Sequence, residues 1–254
     1  MGDFIKVLAV IPARYASTRL PGKPLAMIGD KAMIHMVYDQ VAKCDAVDKV
    51  IIATDDQRIM HYCDTHNINC QMTSTDHPSG TDRVAEVAKR SSEYEVVINV
   101  QGDEPFIEPD QISDLVEMFV DPASEIVTQC VAITDAERLH DFNVVKVVRD
   151  QMDRVLYFSR QAIPAHRDLP YREWIDHSKY YQHIGIYGFR REVLLQLVDL
   201  PISELENSES LEQLRWMDYG YPILAKETKY QSIGVDTEED LIIARKRVEK
   251  NGTV

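Results

Sequence analysis

The first half of the chain alternates short apolar runs with longer stretches whose apolar residues recur three and four apart. Val7–Ile11 is wholly apolar and is halted at Pro12, so it predicts a strand. Lys31–Cys44 sets Ile34, Val37, Tyr38 and Val41 on one face and predicts a helix. Lys49–Ala53 is short and rich in β-branched residues, a second strand, after which Asp55 or Asp56 can cap a helix over Asp56–His66. Ile68–Met72 and Glu95–Val100 are further strands; Thr81–Arg90 and Pro109–Val120 are further helices. Pro109 falls in a first helical turn, where no amide hydrogen is needed. This alternation predicts an α/β fold with a parallel sheet and helices on both faces. Such sheets bind ligands beyond the carboxyl ends of their strands, and the loop at Arg14, Asp55 and Asp103 all follow strands.

The second half is less regular. Strands are expected at Glu125–Ile133 and Tyr181–Phe189, and a hairpin from Val144–Val148 and Val155–Phe158. A loop is expected over Gln161–Lys179, a helix to about Val198 after the Tyr181–Phe189 strand, and an acidic helix over Ser203–Asp218. Tyr221–Glu227 and Tyr230–Gly234 look strand-like, and Asp236–Lys250 closes the chain as a helix. A loop as long as Gln161–Lys179 is more often functional or an oligomer contact than filler. With no repeat or linker, the expectation is a single domain over 1–254 with an insertion at roughly 144–190.

Composition narrows the function. A chain of 254 residues with 28 Lys and Arg against 42 Asp and Glu has a net charge of −14, which argues against a nucleic-acid partner. No run is apolar and long enough to span a membrane, and Met1–Lys6 does not begin a secretion signal, so a cytoplasmic protein is expected. Cys44, Cys63, Cys70 and Cys130 fit neither a disulfide framework nor a zinc knuckle. His61, Cys63, His66 and Cys70 are soft-metal types, but they follow no recognised ligand pattern, and Ile59, Cys63 and His66 read instead as one buried helical stripe.

The candidate chemistry starts at Arg14, Ser17, Thr18, Arg19, Gly22 and Lys23, which bring cations, hydroxyls and a glycine to one loop. It is neither a Walker loop nor a dinucleotide fingerprint, which also sets aside a dehydrogenase. It is either a nest for phosphate oxygens or a solvated basic loop. Asp103, in Gly102-Asp103-Glu104-Pro105, is placed for a hard metal or is a turn residue. Asp236 is a metal ligand or, with Glu239, a helix cap. Ser79-Gly80-Thr81-Asp82-Arg83 opens a helix and offers its amides to an anion or simply caps it. His183 is structural or functional on its strand, and Glu209, Glu212 and Gln213 could be a solvated helix face.

Taken together and in order, these segments resemble one family. Ile11-Pro12-Ala13-Arg14-Tyr15-Ala16-Ser17-Thr18-Arg19-Leu20-Pro21-Gly22-Lys23-Pro24-Leu25 is similar to the signature of 3-deoxy-manno-octulosonate (Kdo) cytidylyltransferases. The likeness continues through Ala53–Asp56, Met72–Ser74, Ser79–Arg83, Val100–Pro105, Leu156–Arg160, Gln182–Tyr187, Glu209–Arg215 and Val235–Thr237. One departure is Asp30-Lys31-Ala32-Met33, where the family has a Gly-Lys-Pro-Met type of sequence.

The resemblance implies a Rossmann-like nucleotidyl-transferase fold, a mixed and mostly parallel sheet flanked by helices, with a smaller dimerisation hairpin. It implies a Mg2+-dependent homodimer that converts CTP and Kdo to CMP-Kdo and pyrophosphate for lipopolysaccharide synthesis. Arg14, Lys23 and Asp103 would be catalytic. Arg14, Ser17, Arg19, Lys23, Asp55, Ser79, Thr81 and Arg83 would serve CTP. Gln101, Arg160, His183, Tyr187, Glu212 and Gln213 would take the sugar acid, and Asp103 and Asp236 the magnesium. The rivals are an enzyme acting on an 8-amino-Kdo analogue or another acidic sugar, and an idle nucleotide-binding regulatory subunit.

Overall fold

The computed structural model describes residues 5–16, 20–231 and 234–250. The chain forms two compact units, Met1–Glu117 with Ser232–Val254, and Met118–Gln231. In the first unit, β1 (Val7–Ala13) leads to a small hairpin of β2 (Met27–Ile28) and β3 (Lys31–Ala32). Then come α1 (Met33–Ala42), β4 (Lys49–Thr54), α2 (Gln57–Thr65), β5 (Cys70–Met72), α3 (Gly80–Arg90), β6 (Val96–Asn99) and α4 (Pro109–Glu117). The strands run in the order β6-β1-β4-β5, all parallel. Parallel strands covered on both faces carry unbroken apolar runs, and Val7–Ile11 and Val96–Ile98 are buried throughout. From β1 the chain steps outward to β4 and β5, then returns to pair β6 on the other side of β1. That reversal is the switch point where such sheets open a crevice, here between the carboxyl ends of β1 and β6.

Two expectations change here. The first strand does not stop at Pro12 but runs to Ala13. The carbonyl of Val10 faces β6, accepting from the Val100 amide at 3.0 Å, so Pro12, two residues on, faces the same side. Pairing with β6 ends at Val10, so proline's missing donor costs no ladder bond. The helix expected from Lys31 starts only at Met33, because Lys31 and Ala32 pair with Ile28 and Met27 around Gly29, whose φ is +66°. The α-helix begun at Pro109 ends at Glu117, and Met118–Val120 tightens to a 3-10 turn.

The second unit holds β7 (Ile126–Ile133), α5 (Ala136–His140), β8 (Lys146–Arg149), β9 (Val155–Ser159), α6 (Trp174–His177), β10 (Tyr180–Arg190), α7 (Arg191–Leu197), α8 (Glu204–Glu209), α9 (Glu212–Asp218) and β11 (Ile223–Glu227). β8 and β9 form the expected antiparallel hairpin, β10 runs antiparallel to β7, and β11 lies parallel to β7. The Gln161–Lys179 stretch is not featureless: it contains a 3-10 turn at Tyr171–Glu173 and α6. Trp174 and Ile175 pack on a cluster of Ile133, Leu139, Val144, Ala162 and Tyr180, which orders it. The single acidic helix is instead two, because Ser210 turns left-handed (φ 52°) between α8 and α9.

The chain re-enters the first unit with α10 (Glu238–Lys250). Among the described residues Tyr230–Gly234 forms no strand. Leu241, Ala244 and Val235 share an apolar cluster with Leu20, Ile28 and Met33. That cluster ties the segment before α10 to the end of the Arg14 loop. Burial of each large aliphatic side chain contributes about 1.5–3 kcal/mol to such an anchor.

Candidate active site

Lys23 is set by the backbone. Gly22 adopts φ +70°, its amide donates to the Tyr15 carbonyl at 3.2 Å, and Lys23–Leu25 turns as a 3-10 helix with Pro24 in its first turn. That positive φ is what favours glycine here; a β-carbon would also meet the tip of the Tyr15 side chain at 2.9 Å. The Arg58 guanidinium lies 3.3 Å above the centre of the Tyr15 ring and pairs with Asp56 at 2.6 Å, bracing the loop's other end. Ser17, Thr18 and Arg19 lie outside the described residues.

From that turn the Lys23 ammonium reaches Asp103 at 2.6 Å and Asp236 at 2.8 Å. Asp103 follows β6 through Gly102, where a β-carbon would approach the Pro12 carbonyl to 2.9 Å. The Asp103 carbonyl accepts the Val235 amide at 2.9 Å, which brings Asp236 alongside. Partial burial would lower the Lys23 pKa, but the charge of Asp103 and hydrogen bonds to both carboxylates outweigh it and raise it. The cap of α10 is not Asp236 with Glu239. Thr237 Oγ1 accepts from the Asp240 amide at 3.2 Å, and Asp240 accepts from the Asp236 and Thr237 amides. The Asp236 carboxylate is left to face Lys23.

Around this centre the other candidates of the first unit take distinct places. Arg14 is exposed and donates through Nη2 to the carbonyls of His77 and Ser79, the latter at 3.3 Å. Ser79 caps α3, accepting from the Asp82 amide at 3.2 Å while its hydroxyl donates to the Asp82 carboxylate at 2.6 Å. Thr81 is buried in the first turn. Arg83, with no exposed surface, is directed inward: it donates to Asp55 at 2.7 Å and to Thr73. Asp56, rather than Asp55, caps α2. Gln101 stands between β6 and Gly102 and is half-buried. Cys63, of the tempting His-Cys group, is buried and shares a thiol hydrogen bond with Cys70.

The second unit assembles the remaining candidates. Arg160 follows β9, and its guanidinium donates to the carbonyls of Glu209 (2.7 Å), Phe142 (3.1 Å) and Ser210 (3.3 Å). The Glu209 carboxylate closes the same corner, accepting from the Ser159 hydroxyl at 2.6 Å and the Arg160 amide at 2.9 Å. Lys146, fully buried, donates to the carbonyls of Asp141, Val144 and Arg160, and burial lowers its pKa. His183 stands on β10 with Phe158 and Tyr187 ring centroids 5.0 and 5.2 Å away, its Nε2 3.0 Å from the Thr128 hydroxyl. Thr128 also lies 2.7 Å from the Ile186 carbonyl, at the bulge between Ile184 and Tyr187 that separates the two aromatic positions. Gln213 and Tyr187 are buried, and Glu212 pairs with Arg215 at 3.0 Å. Glu209, Lys146 and Thr128 carry this arrangement although the sequence marks none of them as a ligand. Glu209 reads as helix surface, and a lone buried Lys or Thr in an apolar strand gives no local signal.

Desolvation pushes the His183 pKa down from 6.5 to about 3, so the ring is neutral at physiological pH and acts as a hydrogen-bonding group, not an acid. The unfolded chain binds this proton below about pH 6.5 and the folded one only near 3, so stability falls as pH drops through that window. His183→Asn is expected to flatten the stability–pH curve between those values. Urea unfolding at several pH values checks it, and an unchanged slope contradicts it.

A parallel α/β core in which a loop lysine meets two carboxylates at the switch point has the form of a nucleotide-handling site. The cytidylyltransferase family model matches residues 8–229. The chain is 45% identical to the 3-deoxy-manno-octulosonate cytidylyltransferase of Bacteroides thetaiotaomicron, over 93% of this chain and 96% of the relative. It is also 45% identical to the one from Leptospira interrogans, over 94% of each. It therefore belongs to the 3-deoxy-manno-octulosonate cytidylyltransferase family. A solved structure of a CMP:2-keto-3-deoxy-manno-octonic acid synthetase complexed with CTP superposes with a TM-score of 0.90 at 41% identity, covering 97% of this chain and 99% of that one. This likeness shows the nucleotidyl-transferase fold, a mixed, mostly parallel sheet flanked by helices. A 4-diphosphocytidyl-2C-methyl-D-erythritol synthase from Anaerococcus prevotii shares the fold alone, at TM-score 0.61 and 15% identity.

Proposed function

We propose that the protein transfers the cytidylyl group of CTP to Kdo, giving CMP-Kdo and pyrophosphate for lipopolysaccharide synthesis. The observation that carries this is the meeting of Lys23 with Asp103 and Asp236 at the switch point, in a chain that matches its relatives over nearly its whole length. The sugar's anomeric hydroxyl attacks the α-phosphorus, the bond to the β-phosphate oxygen breaks, and pyrophosphate leaves in line. Such chemistry asks the protein for positioning and charge neutralisation. Arg14 and Lys23 grip the triphosphate, with Ser17 and Arg19 completing their loop. Ser79 and Thr81 serve the nucleotide from the start of α3. Arg83 and Asp55, already paired, shape that side from within.

Asp103 and Asp236 offer oxygen ligands that converge on one cation, the Lys23 ammonium, and so suit a hard divalent ion. Among the described residues no three His, Cys, Asp or Glu side chains gather as a metal cage. Magnesium is usually held by one or two carboxylates together with substrate phosphates. Bound there, Mg2+ would supply charge neutralisation at the α-phosphate and a lower pKa for the sugar hydroxyl.

Arg160 takes the sugar carboxylate with its forked donors, and Gln101, His183, Tyr187, Glu212 and Gln213 take its hydroxyls. The homodimer we propose uses the second unit, which exposes Phe142, Met152, Leu156 and Tyr171. A cytoplasmic site suits the supply of CTP and the free thiols, and no helix among the described residues is long and apolar enough to cross a membrane.

Pyrophosphate release from CTP and magnesium with a panel of acidic sugars tests the assignment. Turnover is expected with Kdo. Turnover confined to sialic acid, to the 8-amino analogue or to another nucleotide would overturn it.

A further inference from the structure

We propose that Glu86 is a positioning residue that acts through His77 to hold Arg14, the triphosphate-gripping residue, in place; this rests on the reading of Arg14 given above. Glu86 lies on α3 and would ordinarily face water. Instead one carboxylate oxygen accepts both the Ser74 amide, at 2.9 Å, and the His77 Nε2, at 2.5 Å. The other accepts from Arg90, one helical turn away. The loop between β5 and α3 is thereby fastened at Ser74 and at the His77 ring. The His77 carbonyl, presented by that loop, accepts Arg14 Nη2, and the Ser79 carbonyl accepts the same nitrogen at 3.3 Å. Arg14 makes these two contacts from an exposed position. A guanidinium on an exposed loop has many rotamers, and fixing it before the substrate arrives removes an ordering cost from binding. Burial would raise the Glu86 pKa, but the Ser74 amide, His77 and Arg90 outweigh it and hold the carboxylate ionised, so the tie is charge-assisted.

The alternative is that Glu86 merely stiffens a surface loop. A double-mutant cycle on kcat/KM for CTP separates the two. Arg14→Ala is expected to lower kcat/KM about 30-fold and Glu86→Gln about 5-fold, sizes ordinary for charged hydrogen bonds. The double variant is expected to match Arg14→Ala within about 2-fold, because Glu86 has nothing left to position. KM for the sugar acid is expected to stay unchanged throughout. Where Glu86→Gln folds poorly, His77→Ala closes the same cycle from the loop side. A multiplicative double variant, about 150-fold down, would overturn the inference and leave the role of Arg14 standing. An Arg14→Ala enzyme with unchanged kcat/KM would instead overturn the reading of Arg14 on which it rests.

Discussion

Asp103→Asn is expected to cut turnover at least about a thousand-fold while leaving the thermal unfolding midpoint nearly unchanged, because a ligand carboxylate supplies several kcal/mol of transition-state charge stabilisation. The asparagine fits the same space, and its amide oxygen can still accept from Lys23, now 2.6 Å from Asp103. The Asp103 carbonyl keeps its bond from Val235, so the loop stays in place. What disappears is the charge at the end of β6. Steady-state rates and a melting curve on the same preparation check this. A rate within a few-fold of the wild type would contradict the metal role.

The second large effect concerns Lys23 and has two parts of opposite sign. Lys23→Met is expected to slow turnover about a hundred-fold, the scale of losing one donor to developing charge. The same change removes the cation that lies between Asp103 and Asp236, leaving two carboxylates facing one another. Magnesium binding to the nucleotide-free protein, measured by calorimetry, is therefore expected to tighten several-fold, since like charges relieved by a cation favour its uptake. Weaker magnesium binding together with lost activity would mean that Lys23 organises the carboxylates and does not compete for them.

Much of this was legible in the residues. The strands of the first unit announce themselves because a parallel strand buried on both faces has no polar position to interrupt it. The carboxyl-end rule then places the Arg14 loop and Asp103 at the same edge of the sheet, where Lys23 of that loop meets Asp103. Pro12 misleads because its cost depends on whether a neighbour is present on one side of the strand, which no periodicity records. Asp236 and Glu239 look like a cap, yet Thr237 and Asp240 do that work one residue later. Arg83 reads as a cation for the ligand but is spent on Asp55 and Thr73 inside the fold. Glu86 and Glu209 fail in the opposite direction. Each sits among charged helix residues and looks solvated, and only the path of a distant loop shows what its carboxylate holds.

The proposed reaction exchanges a bond at the α-phosphorus of CTP, and 31P NMR of protein, magnesium, CTP and Kdo observes that phosphorus directly. The three CTP resonances are expected to give way to one sugar-linked phosphodiester and pyrophosphate in equal amounts, and only when Kdo is present. Formation of CDP with inorganic phosphate, or of free CMP without a sugar-linked product, would contradict it.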